Sequence, residues 1–556
     1  MRIRIAHIAV LAAAAAAAFS SASAQAPRAY TRADTLRGSY NTPQRLWWDV
    51  TFYDLHVAIN PPDSSIKGYN GITYRVVKPA QKLQVDLMVP LVVDSMIQDG
   101  KALKYRRDGN AFFVTLTSPQ RAGASKQLTV YYHGKPQPAK RPPWDGGYTW
   151  GTDSLGSPWI VSTDEGMGAS VWWPNKDTEA DEPDSMRIAT TVPTPLVSIG
   201  NGRLRSITNN GNGTTTYEWF SVNPINNYAI NVAIGKYDHF TELYQGERGT
   251  LTMDYWPLAY HMDVAKKQWV QARSMMQCLE HWFGPYPWYE DGYKLIEVSN
   301  NGMEHQTAVT YGNGFANGYR GRDASGTGYG MKWDFIIVHE SAHEWFANNI
   351  TFKDHSDMWV HESFANYAEA LYTECLFGKQ AGAEYAVGVR RGIRNDRPIV
   401  PPERGVNANG SGDMYPKGGT MLHMIRQIVN DDEKWRGILR GLNKTFWHQT
   451  VFGSQIEEYI SKGAGTDLSK VFDQYLRTTK IPVLEYVVSG NMVRFRWANV
   501  VPGFNMPLKV RLAGDSYDWV KPTEQWQTAK FALGTATDFK VDVNFYVESK
   551  NVGTAP

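Results

Sequence analysis

Cysteine is scarce: Cys278 and Cys375 are the only two in 556 residues. That scarcity excludes a disulfide framework as the basis of the fold. Two reduced, buried thiols in helices of the central region are expected rather than a single bridge. An excess of one charge is also lacking. Of the 57 Lys and Arg, Arg2 and Arg4 fall at the extreme N-terminus, leaving 55 basic residues against 55 acidic ones. So even a balance argues against nucleic acid or an anionic membrane surface as the main partner. Beyond the N-terminus no long apolar run occurs, so no integral membrane segment is expected in the mature chain. Internal repeats are absent as well.

The one apolar run, Ile8 to Phe19, follows Arg2 and Arg4 and precedes Ala22-Ser23-Ala24. A basic start, an apolar stretch too short to span a bilayer and a small-residue cleavage site read as a secretory signal peptide over residues 1–24. The mature protein is then expected outside the cytoplasm, periplasmic or secreted. About 530 residues remain, enough for roughly two to four domains.

The period of the apolar residues divides that length. Leu55, Val57 and Ile59 alternate with polar neighbours, as do Leu83, Val85 and Leu87, and Leu128, Val130 and Tyr132. A period of two marks half-buried strands. Turn clusters such as Asn60-Pro-Pro-Asp-Ser and Arg107-Asp-Gly-Asn separate them, and Pro136 to Pro143 reads as a surface connection. Helical spacing dominates the centre, from Val264 to Phe283, over 331–350 and 357–377, and from Thr420 to Val429, with a short strand at Lys294–Val298. Alternation returns in Val493, Phe495 and Trp497 and in Phe539, Val541 and Val543, with Gly490-Asn491 as a hairpin turn. The expected fold class is α+β and multidomain. An N-terminal antiparallel β-sandwich spans 25–240, a mixed α/β catalytic domain 241–480 and a small C-terminal β-sandwich 481–556.

The chemistry concentrates in the central domain, where residues 339–344 read His-Glu-Ser-Ala-His-Glu. Each residue of a helix advances by about 100°, so His339 and His343 share one face, one above the other. Two imidazoles so placed can share a metal, and Glu362, in Trp-Val-His-Glu-Ser-Phe-Ala, can complete the set from a following helix that Ser356 or Asp357 would cap. A catalytic zinc takes three protein ligands and keeps one position open for water. Glu340 projects beside the histidines, placed to accept a proton from that water. One Zn2+ per chain is expected, the His2Glu set favouring it over other divalent ions. Among the nearby polar residues, Glu344, Asp354, Asp357 and Glu369 could each hydrogen-bond a zinc histidine, but each reads first as a surface charge. His361 should point away from the metal, and Arg390 to Arg394 reads as a solvated face.

Further upstream, Asn301-Gly-Met-Glu-His305 follows the strand at 294–298, which places Glu304 on or beside an edge strand. A carboxylate there can pair with a substrate ammonium in a poorly solvated cleft.

These motifs resemble those of the aminopeptidase N family of gluzincins, which also contains the leukotriene hydrolases. Its Gly-x-Met-Glu-Asn motif is matched by Asn301-Gly302-Met303-Glu304-His305, with Asn301 and His305 standing where the family has Gly and Asn. Its zinc signature spaces the final Glu as His343 and Glu362 are spaced here. Trp345, Phe346, Asn348, Thr351, Trp359, Phe364 and Ala365 also follow its pattern, while Ala347, His361 and Ser363 replace its usual Gly, Asn and Gly. Tyr415-Pro-Lys-Gly-Gly resembles its Tyr-x-Lys-Gly-Ala segment. Thr163-Asp-Glu165 and Ala169-Ser-Val-Trp-Trp-Pro174 resemble its Gln-x-Glu and Ala-Arg…Phe-Pro stretches, with Ser170 replacing the Arg.

The resemblance implies a thermolysin-like catalytic domain. It implies that Tyr415 donates to the oxyanion, that Glu304 and Glu165 anchor the substrate ammonium, and that Gly302 and Met303 also contact substrate. The expected function is a zinc aminopeptidase acting on peptides with a free N-terminus. A zinc endopeptidase with Glu304 structural, a catalytically idle peptide-binding protein, and an epoxide hydrolase of the leukotriene-hydrolase kind are the alternatives.

Overall fold

The computed structural model describes residues 30–38 and 40–553. The expected signal peptide lies outside the described residues. The N-terminal part is built on a long strand, Trp48–Asn60, whose alternating Leu55, Val57 and Ile59 are buried. This strand lies at the middle of an eight-stranded sheet. It pairs antiparallel with Ser65–Val76 and parallel with Ser185–Pro193. The sheet is therefore mixed where an antiparallel one was expected. The chain builds much of the rest of the domain between those two partners, and a crossover that long permits parallel pairing. A three-stranded sheet (Ala80–Asp86, Lys104–Asp108, Ala111–Gln120) and a four-stranded sheet (Gly147–Thr152, Pro158–Thr163, Val197–Ile199, Ala233–Gly235) complete it. All three share one core, in which Val57, Ile72 and Leu128 meet Leu83, Val114, Ile160 and Ile234.

A five-stranded sheet opens the central part, ordered Phe240–Gly246, Gly249–Trp256, Tyr293–Glu297, Val309–Tyr311 and Gly302–Met303. Gly302–Met303 is the edge strand, antiparallel to its neighbour with Met303 opposite Thr310. Helices follow: Phe335–Ala342 carries His339, and Trp359–Phe377 carries Glu362. The second of these is buried from Trp359 through Thr373. A helix covered on every side forms the centre of its domain, and Pro416–Val429 packs against it. Asp354, not Ser356 or Asp357, prepares its start by accepting from Ser356 N at 3.1 Å. Two small sheets end the chain, one containing the Val483–Ser489 and Met492–Ala498 hairpin, with Gly490 at φ 56 in its turn. Among the described residues no helix is long and apolar enough to cross a membrane.

Two expectations fail here. Arg390 is not part of a solvated face. Its guanidinium donates to the carbonyls of Val543 (2.6 Å), Asn544 (2.7 Å) and Phe545 (3.3 Å), clasping the C-terminal sheets to the catalytic helices. Burial pushes its pKa down to about 10. Nor are the cysteines free: Cys278 and Cys375 form a disulfide between the helices Gln271–Phe283 and Trp359–Phe377, and Cys375 is exposed. The packing of those helices brings the two Cα atoms to 6.1 Å, within bridging range, across 97 residues of sequence.

A bridge closing so long a loop restricts the unfolded chain and is worth about 2–4 kcal/mol. The Cys278→Ser/Cys375→Ser protein should therefore unfold about 5–15 °C lower than the parent. Calorimetry with and without reductant checks this, and an unchanged midpoint would show that the bridge does not support the fold.

Candidate metal and substrate site

The metal-binding half of the site follows from a helix that stops at the right place. His339 lies in the last turns of Phe335–Ala342, and His343 follows directly after it. Beyond His343 the backbone leaves the α-helical path: Phe346 has φ −128 and ψ 83, and Ala347 has φ 156 and ψ −57. The break turns the Phe346 carbonyl onto His343, whose Nδ1 donates to it at 3.0 Å. The Nε2 of His343 thereby stays free as an electron-pair donor. His339 is held in the same tautomer by a different partner. Its Nδ1 donates at 2.8 Å to Oε1 of Glu369, which also accepts from Asn366 Nδ2 at 3.2 Å, while Glu369 Oε2 accepts from Tyr385 OH at 2.7 Å.

Glu362 meets both rings. Its Oε2 stands 3.6 Å from His339 Nε2 and 3.4 Å from His343 Nε2. Two ligand atoms each about 2 Å from a tetrahedral zinc lie roughly 3.3 Å apart, so these three side chains fit such an ion. The fit is supported by Glu362 Oε2 itself, which is buried without a hydrogen-bond partner. Burial would raise the Glu362 carboxyl, but the adjacent His343 and His339 outweigh it and hold the group below its usual range.

Of the four acidic residues read first as surface charges, all are buried, and Glu369 alone reaches a zinc histidine. Glu344 accepts from Thr307 N (2.8 Å), Asn348 Nδ2 (3.0 Å) and Tyr286 OH (3.1 Å). Asp354 bonds the Gly405 amide, and Asp357 the Gly453 amide and Arg404. The signal for Glu369 was available in its position, seven residues past Glu362 and so on the same helical face. His361 faces away from the metal side, its Nε2 accepting from Phe352 N at 3.1 Å.

The substrate-facing half gathers around the same point. Glu304 follows the edge strand directly and is 3% exposed, with its Oε1 unpartnered. Asn348, just past the helix break, ties it down by donating to the Glu304 carbonyl at 2.8 Å. The left-handed backbone falls on Gly302 (φ 110), where a Cβ would lie 2.5 Å from the Thr310 carbonyl, and not on Asn301. Asn301 is thus free to use its side chain, which joins Tyr319 OH and Arg320 at the rim. His305 is fully buried, and burial pushes its pKa down to about 3, so the ring stays neutral.

Glu165 arrives from the N-terminal domain. Burial, then the charges of Glu304, Glu362 and Glu340, push its carboxyl well above the usual range. Burial likewise raises Glu340 to about 7. Tyr415 donates to Glu362 Oε1 at 2.8 Å, its ring leaning on His339. Ser363 fixes the approach of that segment by donating to the Met414 carbonyl at 2.7 Å.

These residues line one cleft of about 560 Å³, together with Met303, Gly302, Tyr319, Met358 and Met414. Pro143 and Trp144 line it too, so the proline-rich segment expected to be a plain surface connection ends at the mouth of the site. Nothing in the order or period of the sequence joined that segment, or Tyr319, to residues near 340.

Because Glu369 fixes the His339 tautomer, Glu369→Ala should weaken zinc binding about 10–100-fold. Competition against a chromophoric chelator measures it, and unchanged affinity would assign Glu369 to packing alone.

The comparisons with known proteins agree with this geometry. Residues 269–475 match the Peptidase family M1 domain. A probable aminopeptidase 1 from Sulfurisphaera tokodaii is 22% identical over 80% of this chain and 55% of its own length. A leucyl aminopeptidase from Saccharolobus solfataricus is 25% identical over 51% of this chain and 36% of its own. The chain thus spans about half or less of the length of these relatives. Among solved structures, an M1 zinc metallopeptidase from Deinococcus radiodurans superposes with a TM-score of 0.67 at 21% identity, covering 81% of this chain and 98% of that one. A mutant of that enzyme bound to a Tyr-Ser-Ala substrate gives a TM-score of 0.66. The zinc motif, the Met-Glu segment and the fold thus agree with the match of residues 269–475 to the Peptidase family M1 domain.

Proposed function

We propose that this protein is an exported zinc aminopeptidase that removes the N-terminal residue from peptides with a free α-amino group. One observation carries the reading. Glu165 and Glu304, from two different domains, converge beside the His339–His343–Glu362 trio, each raised by burial, and Glu304 keeps an unpartnered oxygen. Carboxylates crowded in so poorly solvated a space need a cation, and an ammonium group there would lie next to the metal site. An endopeptidase has no use for that second anchor.

His339, His343 and Glu362 would hold one Zn2+ per chain, which when bound acidifies water and polarises a carbonyl. Glu340 takes the proton from the attacking water and returns it to the leaving amine. A carboxyl raised toward 7 by burial suits both steps, since a shuttle works best with a pKa near the working pH. Tyr415 supplies a hydrogen bond to the tetrahedral oxyanion. Burial and the adjacent Glu362 hold its phenol well above the usual range, so it remains a protonated donor. Gly302 and Met303 form the edge strand of their sheet and line the cleft, so an extended peptide can lie beside them with its N-terminus at Glu304. The export reading is supported by the N-terminal leader pattern and by the Cys278–Cys375 disulfide, which persists in oxidising compartments.

Hydrolysis of one leucyl peptide, N-terminally free or acetylated, tests the proposal. Chelator-sensitive release of leucine from the free form alone is expected. Equal cleavage of both forms would make Glu304 structural and the protein an endopeptidase. Glu340→Gln should keep its zinc while kcat falls about 10²–10⁴-fold, and Tyr415→Phe should lose about 10²–10³-fold in kcat. Near-normal turnover in either variant would remove that residue from the mechanism.

A further inference from the structure

Glu165 sits on an N-terminal-domain loop, just before two glycines at positive φ (Gly166, 73°; Gly168, 102°), yet must reach a cleft whose floor belongs to the catalytic domain. The loop also carries its carboxylate toward Glu304, Glu340 and Glu362, which repel it. Something has to hold it there.

The side chain that does so comes from outside the β-sheets of the N-terminal domain. Arg37 ends the short helix Arg32–Gly38 and is 8% exposed. Its Nη1 donates to the carbonyl of Gly166, the residue after Glu165, at 3.2 Å. Its Nη2 donates to Glu179 Oε1 at 2.8 Å and its Nε to Asp177 Oδ2 at 3.4 Å. Asp177 closes the loop's other end, accepting from Ser170 Oγ at 2.5 Å and Ser170 N at 3.2 Å. A Cβ on Gly168 would collide with both Arg37 and Asp177, so the loop wraps directly onto the guanidinium.

Toward the catalytic domain, Arg37 Nη1 also bonds Asn407 Oδ1 and lies 2.9 Å from His355 Nε2. His355 belongs to the turn that leads into the Glu362 helix. Asn407 stands two residues before Asn409, which lines the cleft. The helix itself is docked on the same segment, with Asn407 N donating to the Asp34 carbonyl at 3.0 Å and Tyr30 OH to Glu403 at 3.3 Å.

We propose that Arg37 is a positioning residue for recognition of the substrate α-ammonium group: its guanidinium clamps the Glu165 loop to the catalytic domain, so that a helix ahead of the first strand helps to complete the site. The proposal rests on the reading of Glu165 as an amine anchor. A planar fork is required, because three nitrogens serve partners in three directions, and a lysine at the same place offers one point charge.

The test uses the full mature protein, zinc-loaded, with a leucyl peptide as substrate. Glu165→Gln should raise KM about 10–100-fold, as expected for losing a charged hydrogen bond. Arg37→Lys should raise KM about 10-fold while kcat changes less than about threefold. The double variant should be no worse than Glu165→Gln alone, since coupled residues are not additive. Asn407→Ala, which leaves Arg37 in place and removes one of its two catalytic-domain partners, should repeat the KM effect if Arg37 variants fold poorly. An unchanged KM in Glu165→Gln would overturn the amine-anchor reading and this inference with it. A KM that responds to Glu165 but not to Arg37→Lys or Asn407→Ala, or one whose Arg37 effect persists undiminished in the Glu165→Gln background, would overturn the clamp alone.

Discussion

Four of the carboxylates that line one poorly solvated cleft set the terms for the rest of this molecule. Glu165, Glu304, Glu340 and Glu362 all line it, and burial acts against the charged form of each. Only Glu362 is held below its ordinary range, because two imidazoles face it. Such a cluster is stable where positive charge is supplied, and the geometry divides that supply into two places. The first is flanked by His339, His343 and Glu362, whose atoms have the spacing a tetrahedral ion needs. The second lies between Glu304 and Glu165, and among the described residues no lysine or arginine lines the cleft. A peptide's own ammonium group has the charge and size that this place lacks.

The scaffold around the cluster sets its geometry through backbone and hydrogen bonds. The helix carrying His339 ends at Ala342, and the departure at Phe346 and Ala347 has two effects. It offers a carbonyl to His343, and it places Asn348 where it can hold the Glu304 backbone. His343 and Glu304 are thus tied through residues 344–348. On the next helix, Ser363 connects Glu362 to the Tyr415 segment, and Glu369 connects it back to His339. Tyr415 is therefore one hydrogen bond from a metal ligand, and Glu304 is two, through Asn348.

Much of this was legible in the sequence. His339, Glu340, His343 and Glu362 could be read because helical geometry turns spacing into proximity. The edge position of Met303 and Glu304 could be read because a short strand and a turn precede them. The α+β class followed from the change of period. What escaped reading was fixed by tertiary packing. The cysteines are far apart in sequence and meet only because two helices pack side by side. Arg390 looks like one charge in a basic run until the carbonyls of Val543, Asn544 and Phe545 are seen to surround it. Asp354, Asp357 and Glu344 satisfy backbone amides of distant loops, which a hydrophilic residue's position in sequence cannot reveal. The mixed N-terminal sheet belongs to the same class, since alternation identifies a strand but not the direction of its partner.

Under the proposed function, the division of the amine anchor between two domains gives the seam between them a chemical role. Glu304 is rigid within the catalytic domain, held by a sheet edge and by Asn348. Glu165 is only as well placed as the contact that carries it. A shift of an ångström or so there would leave zinc binding and Glu340 untouched but would remove half of what selects a free N-terminus. Exopeptidase selectivity is then more sensitive to interdomain geometry than hydrolysis is. On the proposed function, that asymmetry gives a role to the buried charges Arg37, Asp177 and Glu179, which lie along this seam despite the cost of desolvating them. A purely apolar contact of the same area would hold the domains together. It would not fix the register of one loop against another, which directional hydrogen bonds to a planar guanidinium can do.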